Sequence, residues 1–185
     1  MAPFALFVPE RMCIMVFPFL NDRIIQNSEN MERKKISSFA ELSAYVGQEL
    51  GVSEWLQVTQ TMINGFADST LDHQWIHVDE AKCAAESPYG STIAHGYLTL
   101  SLLPYLWNQI VEVSNFKMQV NYGINNFRFG DAVKVGSRVR LKATLAECAD
   151  LRGITKCTIS VVMEIEGNRK PAYKGDVVFL YHFNN

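Results

Sequence analysis

The carboxy-terminal half of the chain alternates. Val139, Leu141, Ala143 and Leu145 fall on one side of an extended backbone, and Arg138, Arg140, Lys142 and Thr144 fall on the other. Cys157, Ile159, Val161, Met163 and Ile165 likewise oppose Lys156, Thr158, Ser160, Glu164 and Glu166. A period of two marks strands with one face in a core. Segments near 117–129, 137–148, 154–166 and 171–183 read as four such strands. Turn signals at Gly130-Asp131, Asp150 to Gly153 and Gly167-Asn168 separate them, with spacing that suits an antiparallel meander.

Upstream the period lengthens. Ser38-Phe39-Ala40-Glu41 has capping-box spacing, and Leu42, Tyr45, Val46 and Leu50 form a helical stripe that ends at Gly51. Trp55 to Thr59 predicts a short strand. Thr59 or Thr61 then caps a helix carrying Met62, Ile63, Phe66 and Ala67. Asp72 to Val78 has no period and reads as a loop, and Asp79 caps a short helix over Glu80 to Glu86. His95 to Val113 is apolar almost all round, as a helix wrapped by other structure would be, with Pro104 inside it as a kink. Helices followed by long antiparallel strands predict an α+β domain. A sheet can bury one all-round apolar helix only by curling about it.

Composition bounds the rest. The 185 residues suffice for one domain with a real core, and a formal charge of −2 gives no reason to expect nucleic acid or a membrane surface as partner. Arg33-Lys34-Lys35 is a short basic run that reads as a solvated segment. Cys13, Cys83, Cys148 and Cys157 lack Cys-x-x-Cys spacing, so buried thiols in a reducing cytoplasm fit better than a metal site or a disulfide framework. Residues 1–30 are apolar but interrupted by Glu10, Arg11 and Pro18, and match a signal peptide poorly. They are expected to be an extension outside the domain, which occupies residues 31–185.

Three of the four histidines lie between 73 and 95. Asp72, His73, His77 and His95 raise a metal reading, but no third ligand has suitable spacing, and none is expected. Asp72 and His77 raise another possibility. A carboxylate and an imidazole that share one water can take its proton and return a proton to the neighbouring carbon. Spacing alone equally allows a capping Asp72 and a satisfied, half-buried His77.

Family resemblance separates these. Phe66 to Asp79, which contains Asp72-His73-Gln74-Trp75-Ile76-His77, resembles the hydratase motif of the MaoC-like dehydratases, the (R)-specific enoyl-CoA hydratases. Ser87-Pro88-Tyr89-Gly90-Ser91-Thr92-Ile93-Ala94-His95-Gly96 and its continuation to Pro104 are similar to the next motif, as is Val120 to Phe129 with Val135-Gly136-Ser137. Gln74-Trp75 resembles the nodulation-protein-N-like branch. The match spans roughly residues 36–183, with three motifs in the right order.

The resemblance implies a hot-dog fold, an antiparallel sheet wrapped around a long central helix, usually working as a homodimer. It implies a lyase of fatty acid metabolism that hydrates trans-2-enoyl-CoA to (R)-3-hydroxyacyl-CoA, or runs the reverse dehydration. Asp72 and His77 match the family's catalytic pair, and Gly96 matches the glycine whose N–H receives the thioester oxygen. Coenzyme A, or an acyl carrier protein in its place, enters as part of the substrate, so no bound cofactor is expected. Trp75, His95 and Ser101 are candidate substrate contacts. Each also has a structural reading: Trp75 packs, His95 sits at a helix start, and Ser101 bonds its own backbone.

The chain departs from the pattern at Leu71, where the family has glycine before the catalytic Asp. If that position needs a positive φ, Leu is strained there. Pro104 replaces a helix serine, and Ser91 replaces a second glycine. A hot-dog acyl-CoA thioesterase and a non-catalytic acyl-thioester binder are the competing functions.

Overall fold

The computed structural model describes residues 33–184. The expected extension 1–30 and the boundary at Met31 lie outside the described residues. In chain order the elements are β1 (Lys34–Ile36), α1 (Phe39–Ser43), β2 (Glu49–Val52), β3 (Leu56–Gln57), α2 (Gln60–Thr70) and α3 (Trp75–Val78). They continue with α4 (Glu80–Glu86), α5 (Gly96–Ser101), α6 (Leu103–Ile110), β4 (Val111–Val113), β5 (Phe116–Phe129), β6 (Arg138–Asp150), β7 (Thr155–Ile165) and β8 (Tyr173–Phe183).

The alternating segments form the sheet as their pattern requires. Val139, Leu141, Ala143 and Leu145 are buried on β6, and Cys157, Ile159, Val161, Met163 and Ile165 are buried on β7. On the opposite face Arg138 meets Glu166 at 3.0 Å and Arg140 meets Glu164 at 2.7 Å. Cross-strand charge pairing of this kind keeps the outer face solvated and in register.

Strand order differs from a simple meander. It runs β2-β6-β7-β8-β5, with β3 also on β6. Strands β6, β7 and β8 do meander, but β5 crosses to the far side and pairs antiparallel with β8. The connection from β5 to β6 is too long for a tight hairpin, and the Gly130 and Asp131 N–H groups instead bond to Ala172 O and Pro171 O at 2.8 and 3.0 Å, which keeps β5 beside β8.

The buried face of the sheet packs against the helix Leu103–Ile110. Leu103, Leu106, Trp107 and Ile110 of α6 are buried against it, and Trp107 donates its indole N–H to the Tyr181 hydroxyl at 3.1 Å. That bond satisfies two polar groups inside an otherwise apolar core. This is the hot-dog arrangement, with a difference in its centre. The expected single helix is broken at Leu102 into two short ones, because Pro104 sits in the first turn of α6, where its missing N–H costs nothing. The segment also ends early. Val111–Val113 is a strand paired in parallel with Lys34–Ile36, so part of the supposed solvated basic run is structural and Ile36 is fully buried.

A second correction concerns residues 38–51. The helix stops at Ser43, and Gly47, at φ 81°, turns the chain into β2. Gly47 donates its N–H to Leu145 O at 2.8 Å, which joins the turn to the sheet. Leu50 is buried either way, so its position satisfied a helical stripe and a strand alike. Among the described residues no helix is long and apolar enough to cross a membrane.

Candidate active site

Three short elements build the site: the end of α2, the turn of α3 and the extended run Thr92–His95 that leads into α5. Thr59 caps α2 by accepting the Met62 N–H at 3.3 Å. The helix ends at Leu71, which adopts φ 61° and ψ 20°, the left-handed conformation that closes a helix. The position therefore does require a positive φ, and this chain meets it with Leu. Its side chain is 82% exposed. A left-handed Leu costs about 1–2 kcal/mol, while Gly costs roughly 0.5–1 kcal/mol in backbone entropy. Leu71→Gly should therefore raise stability by about 0.5–1 kcal/mol in urea unfolding. A less stable variant would show that the corner carries no strain.

After the corner, Trp75–Val78 forms one turn of helix instead of the expected loop. No side chain caps it, and its geometry comes from tertiary bonds. Ile93 donates its N–H to Ile76 O at 3.0 Å, and Gln60 Nε2 donates to His77 O at 2.8 Å. Gln60 also accepts from the Thr92 hydroxyl, so one side chain ties α2, α3 and the Thr92 run together. Sequence reasoning missed Gln60. Its only sign was a polar residue at the first helical position, which is unremarkable on a solvated helix.

His77 is buried, and its Nδ1 lies 2.7 Å from Ile93 O. A carbonyl only accepts, so Nδ1 carries the proton and the neutral ring keeps its lone pair at Nε2. Burial lowers the His77 pKa below its ordinary 6.5, the Ile93 bond opposes that shift, and the neighbouring His95 adds to it. The ring is therefore a free base at neutral pH. Because the unfolded state takes up a proton near pH 6.5 and the folded state only at lower pH, His77 destabilises the fold as pH falls through this window. Wild type should lose stability between pH 7.5 and pH 5.5 more steeply than His77→Gln, as urea midpoints would record. Equal slopes would show an unshifted imidazole.

His95 lies against the same ring. It is 3% exposed, and its ring stacks on His77 with centroids 3.7 Å apart and planes 25° from parallel. Its Nε2 donates to the backbone carbonyl of Asp72 at 2.9 Å and lies 3.9 Å from Asp72 Oδ2. The Asp72 carboxylate is 57% exposed. Asp72, His77 and His95 thus offer one oxygen and two ring nitrogens all within 4.8 Å of one another. The third group that spacing did not supply for a metal is supplied by the fold. His95 Nε2–H goes to Asp72 O, so an ion taking that nitrogen would have to displace the bond. His73 does not join the cluster. It pairs with Asp68 at 2.9 Å on the exposed face.

Gly96 is the first residue of α5, where an N–H has no acceptor within the helix. Because α5 is only six residues long, its end carries less dipole than the expected long helix would. A Cβ at Gly96 would come within 2.9 Å of Phe129 Cε1, so glycine also lets the Phe129 ring close over this backbone. Ser101 donates its hydroxyl to Tyr97 O at 2.7 Å. It borders a cleft of about 190 Å³ between the helices and strands β5 and β8, with Leu100, Pro104, Asn121 and Ile124. Trp75 is half-buried beneath the Lys82 ammonium, 4.8 Å from the ring centre, so its observed packing is toward α4.

Comparison with known proteins identifies the family. A family model described as MaoC like domain matches residues 41–167. The 3-hydroxyacyl-thioester dehydratase Z of Mycobacterium tuberculosis is 45% identical over 149 residues, covering 80% of this chain and 98% of that protein. Nodulation protein N of Rhizobium leguminosarum bv. viciae is 44% identical over 150 residues, covering 80% and 92%. Among solved structures, the unliganded (R)-hydratase of Pseudomonas aeruginosa superposes with a TM-score of 0.65 at 19% identity, over 80% of this chain and 88% of that one. The (R)-hydratase of A. caviae involved in PHA biosynthesis gives 0.60 at 23% identity, over 72% and 94%. The fold is shared with the hydratases, and the sequence with the dehydratase and nodulation-protein branches. The chain belongs to the MaoC-like dehydratase family and is a lyase of the hydratase–dehydratase class.

Proposed function

We propose that the protein adds water across the double bond of a trans-2-enoyl thioester to give an (R)-3-hydroxyacyl thioester, and catalyses the reverse dehydration. The observation that carries this reading is the free Nε2 lone pair of a neutral His77 beside an ionisable, solvent-reachable Asp72. Water held between the two loses a proton to His77 as its oxygen bonds to Cβ, and the proton then goes to Cα on the same face. Negative charge develops meanwhile on the thioester oxygen, for which the Gly96 N–H, unpaired among the described residues, is the donor. With Leu71 in the left-handed corner, Asp72 lies beside the two imidazoles, as this reading requires.

The substrate is an acyl-CoA or the matching thioester of acyl carrier protein, with its chain toward the cleft bordered by Ser101. The buried thiols Cys83 and Cys157 suit a cytoplasmic setting. Crotonyl-CoA provides the test. Loss of enone absorbance without free thiol, and an (R) product on chiral analysis, is expected. Thiol release would assign a thioesterase instead, and no reaction would leave a binding protein.

The same reading includes a homodimer. Strand β5 is an edge of the sheet, and Met118, Val120, Tyr122 and Ile124 along it are exposed. Long apolar edges of this kind are covered in soluble proteins, here by the same strand of a second copy. Light scattering should give twice the chain mass, and Tyr122→Lys with Ile124→Lys should halve it. A monomeric wild type would exclude the dimer.

A further inference from the structure

We propose that His95 is a positioning residue that fixes Asp72 and His77 relative to each other, acting beneath the reaction and not on the substrate. The inference rests on the hydratase reading and gives a role to a side chain that the reaction itself does not require. His95 occupies the cap position of α5, where Ser, Thr, Asp or Asn would satisfy the helix N–H groups, yet its side chain makes no capping bond. It reaches away from its own helix instead. Nε2–H goes to the Asp72 carbonyl at 2.9 Å, one face of the ring covers His77 at 3.7 Å, and Phe66 lies 5.0 Å away. Among the described residues its Nδ1 has no hydrogen-bond partner, so the ring is held through Nε2–H and its stacking faces.

What the bond to Asp72 does follows from the residue before it. Leu71 is left-handed and 82% exposed, so its side chain contributes little packing to hold the corner. The Asp72 carbonyl, one residue on, is anchored to the buried His95 ring. That ring is in turn fixed by its own backbone: Ala94 donates to Val133 O at 2.8 Å, and His95 O accepts from Thr99 N at 3.2 Å. His77 is held from its other edge by Ile93 O at 2.7 Å. Both members of the pair are thus registered on the run Ile93–His95, one through its main chain and one through its ring.

Two substitutions separate the parts of this role. His95→Phe keeps an aromatic face on His77 and removes the donor, whereas His95→Gln keeps a donor and removes the ring. With crotonyl-CoA, His95→Phe should lower kcat about 10- to 100-fold with KM within about twofold of wild type, since positioning is lost and substrate contacts are not. His95→Gln should retain more of kcat than His95→Phe. Leu71→Gly added to His95→Phe should recover at least about threefold, because glycine adopts the left-handed corner without an anchor. A raised KM with unchanged kcat would make His95 a substrate contact and overturn the proposal. Strictly additive effects of the two changes would overturn it too, as would wild-type kcat in His95→Phe. A readout without substrate keeps the proposal separate from the hydratase reading. In 15N-labelled wild type, His95 should be the Nε2–H tautomer with a solvent-protected proton, and His77 the Nδ1–H tautomer. A rapidly exchanging or Nδ1-protonated His95 would overturn the anchor whatever the enzyme does with crotonyl-CoA.

Discussion

Asp72→Asn and His77→Gln should each lower kcat/KM for crotonyl-CoA hydration by about 10²–10⁴-fold while leaving the fold intact. The reasoning differs for the two. His77→Gln removes the only group of the pair whose free lone pair is fixed by the structure, since Nδ1 is occupied by Ile93 O and Nε2 is left to meet water. Gln can still donate to Ile93 O, so helix α3 should keep its place. Asp72→Asn removes charge and keeps shape. The Asp72 side chain is more than half exposed and makes its nearest ionic approach to His95 at 3.9 Å, so the fold does not depend on its charge. Kinetics read alongside thermal unfolding would check both points: large rate losses with unfolding midpoints shifted by only a few degrees. The double variant should be little worse than either single one, because two groups that share one water fail together. If either variant kept wild-type turnover, the acid–base pair would lie elsewhere.

The parts legible in the sequence were those in which one residue type at one spacing has one outcome. Alternation on β6 and β7 left a single choice of buried face, and Asp79 capping α4 by accepting the Lys82 N–H at 2.9 Å needed only local information. The parts that were not legible depend on partners distant in sequence. Val111–Val113 continues an apolar helical run, and it becomes a strand only because Lys34–Ile36 lies alongside. The turn of α3 has no cap of its own and is held by Gln60 and Ile93, which no window around Trp75 contains. At the site, Asp72 and His77 were marked by motif resemblance, whereas the depth of His95 was not. A substrate contact at a helix start and a buried stacked position are identical in sequence, and only the return of Thr92–His95 past Ile76 distinguishes them. Leu71 was the opposite case: the departure from glycine was visible, and the backbone then proved to require the conformation that glycine favours.

Gly96→Pro should lower kcat/KM by about 10²–10³-fold beyond the loss caused by Gly96→Ala, the effect expected from one oxyanion donor worth about 3 kcal/mol. The comparison is needed because any side chain here disturbs Phe129: a Cβ would meet Cε1 at 2.9 Å and Cζ at 3.0 Å. Alanine and proline both bring that Cβ, so the movement of the ring is common to them, and only proline deletes the N–H. The backbone tolerates proline otherwise. Gly96 is the first residue of α5, a position where the N–H has no helical acceptor and proline is accommodated. His95 before it has φ −56° and ψ 137°, the extended conformation that a residue preceding proline adopts. The loss should fall on kcat more than on KM, since charge on the thioester oxygen builds only as water adds. Circular dichroism and unfolding midpoints of the two variants should agree closely. A proline variant within about threefold of the alanine variant would show that the thioester oxygen takes its hydrogen bond from another group, and the first turn of α5 would then be a support for Phe129 alone.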